Sequence, residues 1–214
     1  MKKYKLFIFD CDGTLIDSKL LVKEAVSAAL RELNVAVDNA ILNQLHKFSG
    51  IGLAELARQL FPTVDYQLFR NAFHKHYSAD KLSHCFFSGA IEALRNLKLQ
   101  GLRLAMATNI IREKTNAFLQ AAGLQDLFDT IRCFDDGFPK PHPQMLLSIL
   151  DELKISAAEA VMVGDSIYDM QLAVNAGVDA IAVDYGGSDI ATLLSYNPAG
   201  YLQDIQEIDS FVVL

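Results

Sequence analysis

Apolar and polar positions divide this chain into short continuous runs and longer periodic stretches. Five runs rich in apolar and β-branched residues, 4–10, 102–108, 130–134, 160–165 and 180–184, are too short for helices and show little alternation. Such runs predict strands of a parallel sheet covered on both faces. Helical patterns lie between them. Residues 88–100 carry apolar side chains at 91, 94 and 97 and are followed by Gly101; 113–122 is followed by Gly123 and 166–176 by Gly177. A glycine just past the last periodic residue is a C-terminal stop. The implied fold class is α/β.

The alternation breaks once. From about residue 18 to 85 the pattern is helical only, with periodic stretches over 20–33, 38–48, 53–61 and 66–77. Phe69, Phe73 and Tyr77 recur at helical spacing and read as core packing. An all-helical block inserted after the first strand predicts two domains: a catalytic core from 1–17 and 86–214, and a smaller helical domain over 18–85. The connections fall near 17–19 and 86–89.

Composition narrows the function. Of 214 residues, 51% are apolar, enough for a sizeable core and against intrinsic disorder. A formal charge of −7 argues against a nucleic-acid backbone or an anionic membrane as the main partner. The apolar run after Lys2, Lys3 and Lys5 ends after four residues at Asp10, short of a signal peptide's apolar region, and no stretch is long enough for a membrane helix. Cys11, Cys85 and Cys133 are odd in number and widely spaced, which predicts free thiols and a cytoplasmic location. The five histidines show no metal-site spacing, and His74 and His76 diverge on their helix toward solvent.

Carboxylates collect at the ends of the apolar runs. In Phe9-Asp10-Cys11-Asp12-Gly13 two of them stand i, i+2, on one side of an extended chain. Two anions at a buried strand end need a cation or a shared proton, unless the segment is a solvated turn. The presence of Asp10 would raise the pKa of Asp12. Gly164-Asp165-Ser166 repeats the arrangement, with Asp169 one turn further on; Asp165 is either a third clustered carboxylate or the cap of the next helix, a task Ser166 can also fill. Thr108 and Asn109 close another run and supply neutral donors, or an ordinary turn. Pro139, Pro141 and Pro143 hold the backbone around Lys140, either as a functional cation or in a rigid surface turn.

Taken in order, Asp10-Cys11-Asp12-Gly13-Thr14-Leu15-Ile16-Asp17, Thr108-Asn109, Lys140-Pro141-His142-Pro143 and Gly164-Asp165-Ser166-x-x-Asp169 resemble the haloacid-dehalogenase-like superfamily, in its phosphoglycolate-phosphatase-like branch with a helical cap. The resemblance covers essentially the whole chain. It implies a Rossmann-like core and a Mg²⁺-dependent phosphatase acting on a small phosphorylated metabolite; the sequence leaves monomer or homodimer open. By the same resemblance Asp10 is the nucleophile and Asp12 the general acid and base. Thr108, Asn109 and Lys140 bind the phosphoryl group, Asp10, Asp165 and the Asp12 carbonyl hold the metal, and Asp169 orients Lys140 or a metal-bound water. A phosphosugar mutase shares these residues, and a non-catalytic phosphate-binding module shares the fold. Carbon–halogen hydrolases of the superfamily lack a carboxylate at the position of Asp12. The segment 46–52, with Lys47 and Ser49, breaks the helical periodicity and is the candidate substrate-selecting loop of the cap.

Overall fold

The computed structural model describes residues 4–36, 38–45, 53–185 and 189–212. The chain opens on β1 (Leu6–Phe9) and then runs through five consecutive helices, α1 (Lys19–Glu32), α2 (Asn39–Leu42), α3 (Leu53–Leu60), α4 (Tyr66–His76) and α5 (Ala79–Leu82). Strands and helices then alternate: α6 (Ala90–Leu99), β2 (Arg103–Ala107), α7 (Arg112–Ala121), β3 (Thr130–Arg132), α8 (Gln144–Leu153), β4 (Ala160–Gly164), α9 (Ile167–Ala176), β5 (Asp179–Val183), α10 (Ile190–Leu194) and β6 (Gly200–Leu202). The six strands form one parallel sheet in the order β3-β2-β1-β4-β5-β6.

Strand periodicity sorts the core into two layers. Phe7, Phe9, Leu104, Met106, Val161 and Val163 pack on one face, with the helical block. Leu6, Ile8, Ala105, Ala107, Ala160 and Met162 pack on the other, against residues of α8 and α9. Both faces are covered, which is why the strands read as continuous apolar runs. Truncating a core ring such as Phe7 to alanine costs about 3–5 kcal/mol. β1 sits mid-sheet, paired to β2 on one side and β4 on the other, with Phe9 level with Met106 and Val163. Connections leave toward opposite sheet edges at β1, and such a switch point opens a crevice at the carboxyl ends of the strands.

The helical block leaves and rejoins the sheet through adjacent segments. Asp17 N–H donates to Cys85 C=O at 2.7 Å and Phe87 N–H to Leu15 C=O at 2.9 Å. Phe69, Phe73 and Tyr77 are buried and ring-packed as expected. His74 is exposed, with Nδ1 2.7 Å from Lys114 Nζ of α7.

Two sequence expectations need correction, and two elements were not expected at all. Of the helix expected over 38–48, the described residues 38–45 hold the single α-helical turn α2, because Asn39 and Asn43 are weak helix formers and Asn43 instead accepts a hydrogen bond from Lys23; residues 46–48 lie outside the described residues. The strand expected over 130–134 stops at Arg132, and a 3₁₀ turn, Phe134–Asp136, follows after Cys133. A sixth strand, β6, exists although only Leu202 of its three residues is buried, too little for an apolar run. Finally, α8 fills a stretch for which the sequence reading proposes no element; its buried Met145, Leu146, Ile149 and Leu150 form a helical stripe.

Candidate active site

Asp10 follows β1 directly, nearly buried, with its N–H donating to Val163 C=O at 2.9 Å. The ladder therefore fixes it above the sheet's carboxyl edge. Asp165 and Asp169 arrive from β4 and the first turn of α9, both buried. Carboxylate oxygens of Asp10, Asp165 and Asp169 all lie within 4.8 Å of one another. The cap of α9 is Ser166, whose Oγ and N–H donate to Asp169 Oδ2 at 2.6 and 3.1 Å. Asp165 is thus not the capping residue, and the clustered-carboxylate alternative is the one observed.

Lys140 reaches this cluster from the proline-flanked loop. Its buried ammonium donates to Asp169 Oδ1 at 2.7 Å and pairs closely with Asp10 Oδ1. Asn109 secures the loop, its Oδ1 accepting the Lys140 N–H at 3.1 Å. Thr108 is buried beside it at the end of β2; its Oγ1 accepts the Ile110 N–H at 3.1 Å, which leaves the hydroxyl proton to donate elsewhere. Lys140 is therefore a held internal cation and not part of a solvated turn.

Asp12 is half-buried, and its Oδ1 accepts the Ser18 hydroxyl at 2.7 Å. Ser18 stands at the N-cap of α1 but makes no side-chain capping bond; its hydroxyl is turned back to Asp12. Sequence reasoning missed it, because a serine before a helix signals a cap first.

Electrostatics follow from burial. Desolvation pushes the Asp10 carboxyl up to about 7, against the pull of Lys140. Asp165 is raised well above the ordinary carboxylate range, by burial and then by repulsion from Asp10 and Asp169. Asp12 is raised too, but the cause expected from the sequence is wrong: burial leads, Ser18 opposes it, and the charge that adds to it is Asp17. Cys11 is fully buried and its thiol is pushed well up, so it packs as a neutral filler. Among the described residues, three clustered carboxylates here meet one ammonium. An all-oxygen donor set with excess negative charge fits a hard divalent cation.

Two glycines permit this crowding. Gly13 has φ +90°, and a Cβ there would lie 2.2 Å from Asp165 Oδ2. At Gly164 a Cβ would lie 2.4 Å from Asp169 Cβ and Cγ. Either side chain would have to displace a carboxylate. We expect Gly13→Ala and Gly164→Ala each to lower kcat by about 10²-fold, since ångström-scale misplacement has that effect. Steady-state assays with circular dichroism as a folding control check this; a folded variant with wild-type kcat would contradict it. Lys47 and Ser49 lie outside the described residues.

No helix among the described residues is long and apolar enough to cross a membrane. The family model for haloacid dehalogenase-like hydrolases matches residues 7–183. "Probable phosphatase IndB" of Dickeya dadantii is 33% identical over 210 residues, covering 95% of this chain and 91% of that protein. Phosphoglycolate phosphatase of Psychrobacter arcticus is 31% identical over 234 residues, covering 98% and 96%. The crystal structure of a "predicted phosphoglycolate phosphatase" from Haemophilus somnus shares the fold, with TM-score 0.87 at 23% identity over 98% of both chains.

Proposed function

The chain belongs to the haloacid dehalogenase-like hydrolase family, and we propose that it is a Mg²⁺-dependent phosphatase that cleaves a small phosphate monoester through a phosphoaspartate at Asp10. The observation that carries this reading is the Lys140 ammonium bound between Asp10 and Asp169, inside a three-carboxylate cluster at the sheet's switch point. The two relatives named as phosphatases support the same class.

Uncatalysed monoester hydrolysis is among the slowest of reactions, requiring up to ~10²¹-fold acceleration. The demand is for charge neutralisation and in-line positioning. Asp10 attacks phosphorus; Lys140 favours its ionised form and lies where the phosphoryl oxygens gather. Thr108 and Asn109 offer a hydroxyl and amide hydrogens to those oxygens. Ser18 holds one oxygen of Asp12, leaving the other to give a proton to the departing alcohol and later to take one from water. The raised proton affinity of Asp12 suits the first of these steps. Division through an acyl phosphate makes each half easier.

The carboxylates of Asp10 and Asp165, with the Asp12 carbonyl, would hold Mg²⁺. Asp169 already uses one oxygen on Lys140 and the other on Ser166, which fits an orienting role. When bound, the ion supplies positive charge to the phosphoryl oxygens. The block over 18–85 acts as a cap that selects the leaving group, and Lys47 and Ser49 are its candidate substrate-binding residues.

Phosphate release across a metabolite panel with Mg²⁺ tests the reading. Phosphoglycolate, sugar phosphates, nucleotides and pyrophosphate belong in it. Turnover of at least one monoester is expected. Release from none would overturn the assignment, and conversion of a hexose 1-phosphate to the 6-phosphate without release would favour a mutase.

A further inference from the structure

The helical block carries a second cleft, of ≈ 430 Å³, whose basic side chains make no bond to Asp10, Asp12, Asp165 or Asp169 among the described residues. Four basic residues line it: Lys23 and Arg31 of α1, His76 ending α4 and Lys81 of α5. Glu24 is the one acid in the lining. That is a concentration of positive charge on a chain of net charge −7.

The cations are held without being neutralised. Arg31 Nη2 donates to Ser27 Oγ at 2.7 Å, and Lys23 Nζ donates to Asn43 Oδ1 at 2.8 Å. Neither these two nor Lys81 forms an ion pair with a described residue. The neighbouring Lys75, by contrast, pairs with Glu32, which His76 also approaches, at 3.5 Å. Neutral acceptors aim a cation while leaving its charge for a ligand. With Glu24 counted and His76 neutral, the cleft keeps a formal charge of +2, which a dianion balances.

An arginine fork flanked by lysines suits phosphoryl oxygens in particular. The volume is within the ordinary range for small-molecule sites and exceeds what a bare phosphate needs. Leu20, Ala28 and Leu42 add apolar lining, and Leu20 is 67% exposed. We propose that this cleft is a second ligand site, one that takes the phosphoryl dianion of an organic molecule on the helical block, apart from the catalytic carboxylates.

Phenylphosphonate, an organic phosphoryl dianion with no ester to cleave, is the probe. It is titrated calorimetrically in excess EDTA, where the carboxylate cluster repels anions. One binding event is expected for the native chain. Arg31→Gln and Lys81→Gln, both at exposed positions, should each weaken it at least tenfold while leaving p-nitrophenyl phosphate turnover with Mg²⁺ unchanged. No binding to the native chain, or equal binding to native and both variants, would overturn the proposal.

Discussion

Asp10→Asn is expected to lower phosphate release by on the order of 10⁴-fold or more, because an amide is too poor a nucleophile to replace the carboxylate. The fold should persist, since asparagine has the same shape and the Asp10 N–H stays bonded to Val163. In metal-free buffer the variant should melt below the native chain, because removing one partner of a buried ion pair leaves the Lys140 ammonium with Asp169 alone. Thermal melts in EDTA, with p-nitrophenyl phosphate assays, read both effects. A folded variant with a tenth of native activity would remove Asp10 from the nucleophile's role.

Chelation is expected to be nearly as damaging. Among the described residues the clustered carboxylates of Asp10, Asp165 and Asp169 are met by the single ammonium of Lys140, so the site without a cation opposes the entry of a phosphate dianion. A bound divalent ion is worth several kcal/mol of transition-state stabilisation, and each 1.36 kcal/mol is tenfold in rate, so excess EDTA should lower turnover by at least about 10³-fold. Mg²⁺ should restore it. Ca²⁺ should inhibit, because its longer and looser coordination does not impose the geometry of in-line attack. Undiminished turnover in excess chelator would refute the metal role of Asp165.

Residues at strand ends were legible in the sequence because a parallel sheet announces itself twice. Its strands are apolar on both faces, as Leu6–Phe9 and Ala160–Gly164 are, and each run stops where the chain reaches the functional edge. Asp10 and Asp165 therefore stood out as carboxylates closing apolar runs. What connects them did not. The Lys140–Asp169 bond joins residues 29 positions apart and was expected only through the family resemblance, as one of two roles for Asp169, and the roles of Gly13 and Gly164 depend on carboxylates that only the fold brings against them. The source of the raised proton affinity of Asp12 was misjudged for a similar reason: charge spacing is visible in a sequence, whereas burial depends on the folded surroundings. β6 escaped notice because a three-residue edge strand with one buried side chain carries almost no pattern.

Covalent transfer to Asp10 is observable directly in the Asp12→Asn protein. An aryl phosphate needs little proton donation, so the first half-reaction should proceed in that variant, while water attack lacks its base. Intact-mass spectrometry after mixing with p-nitrophenyl phosphate and Mg²⁺, followed by peptide mapping, is expected to find one added phosphoryl group on the peptide that contains Asp10. No adduct, together with native steady-state turnover by the same variant, would contradict the phosphoaspartate route.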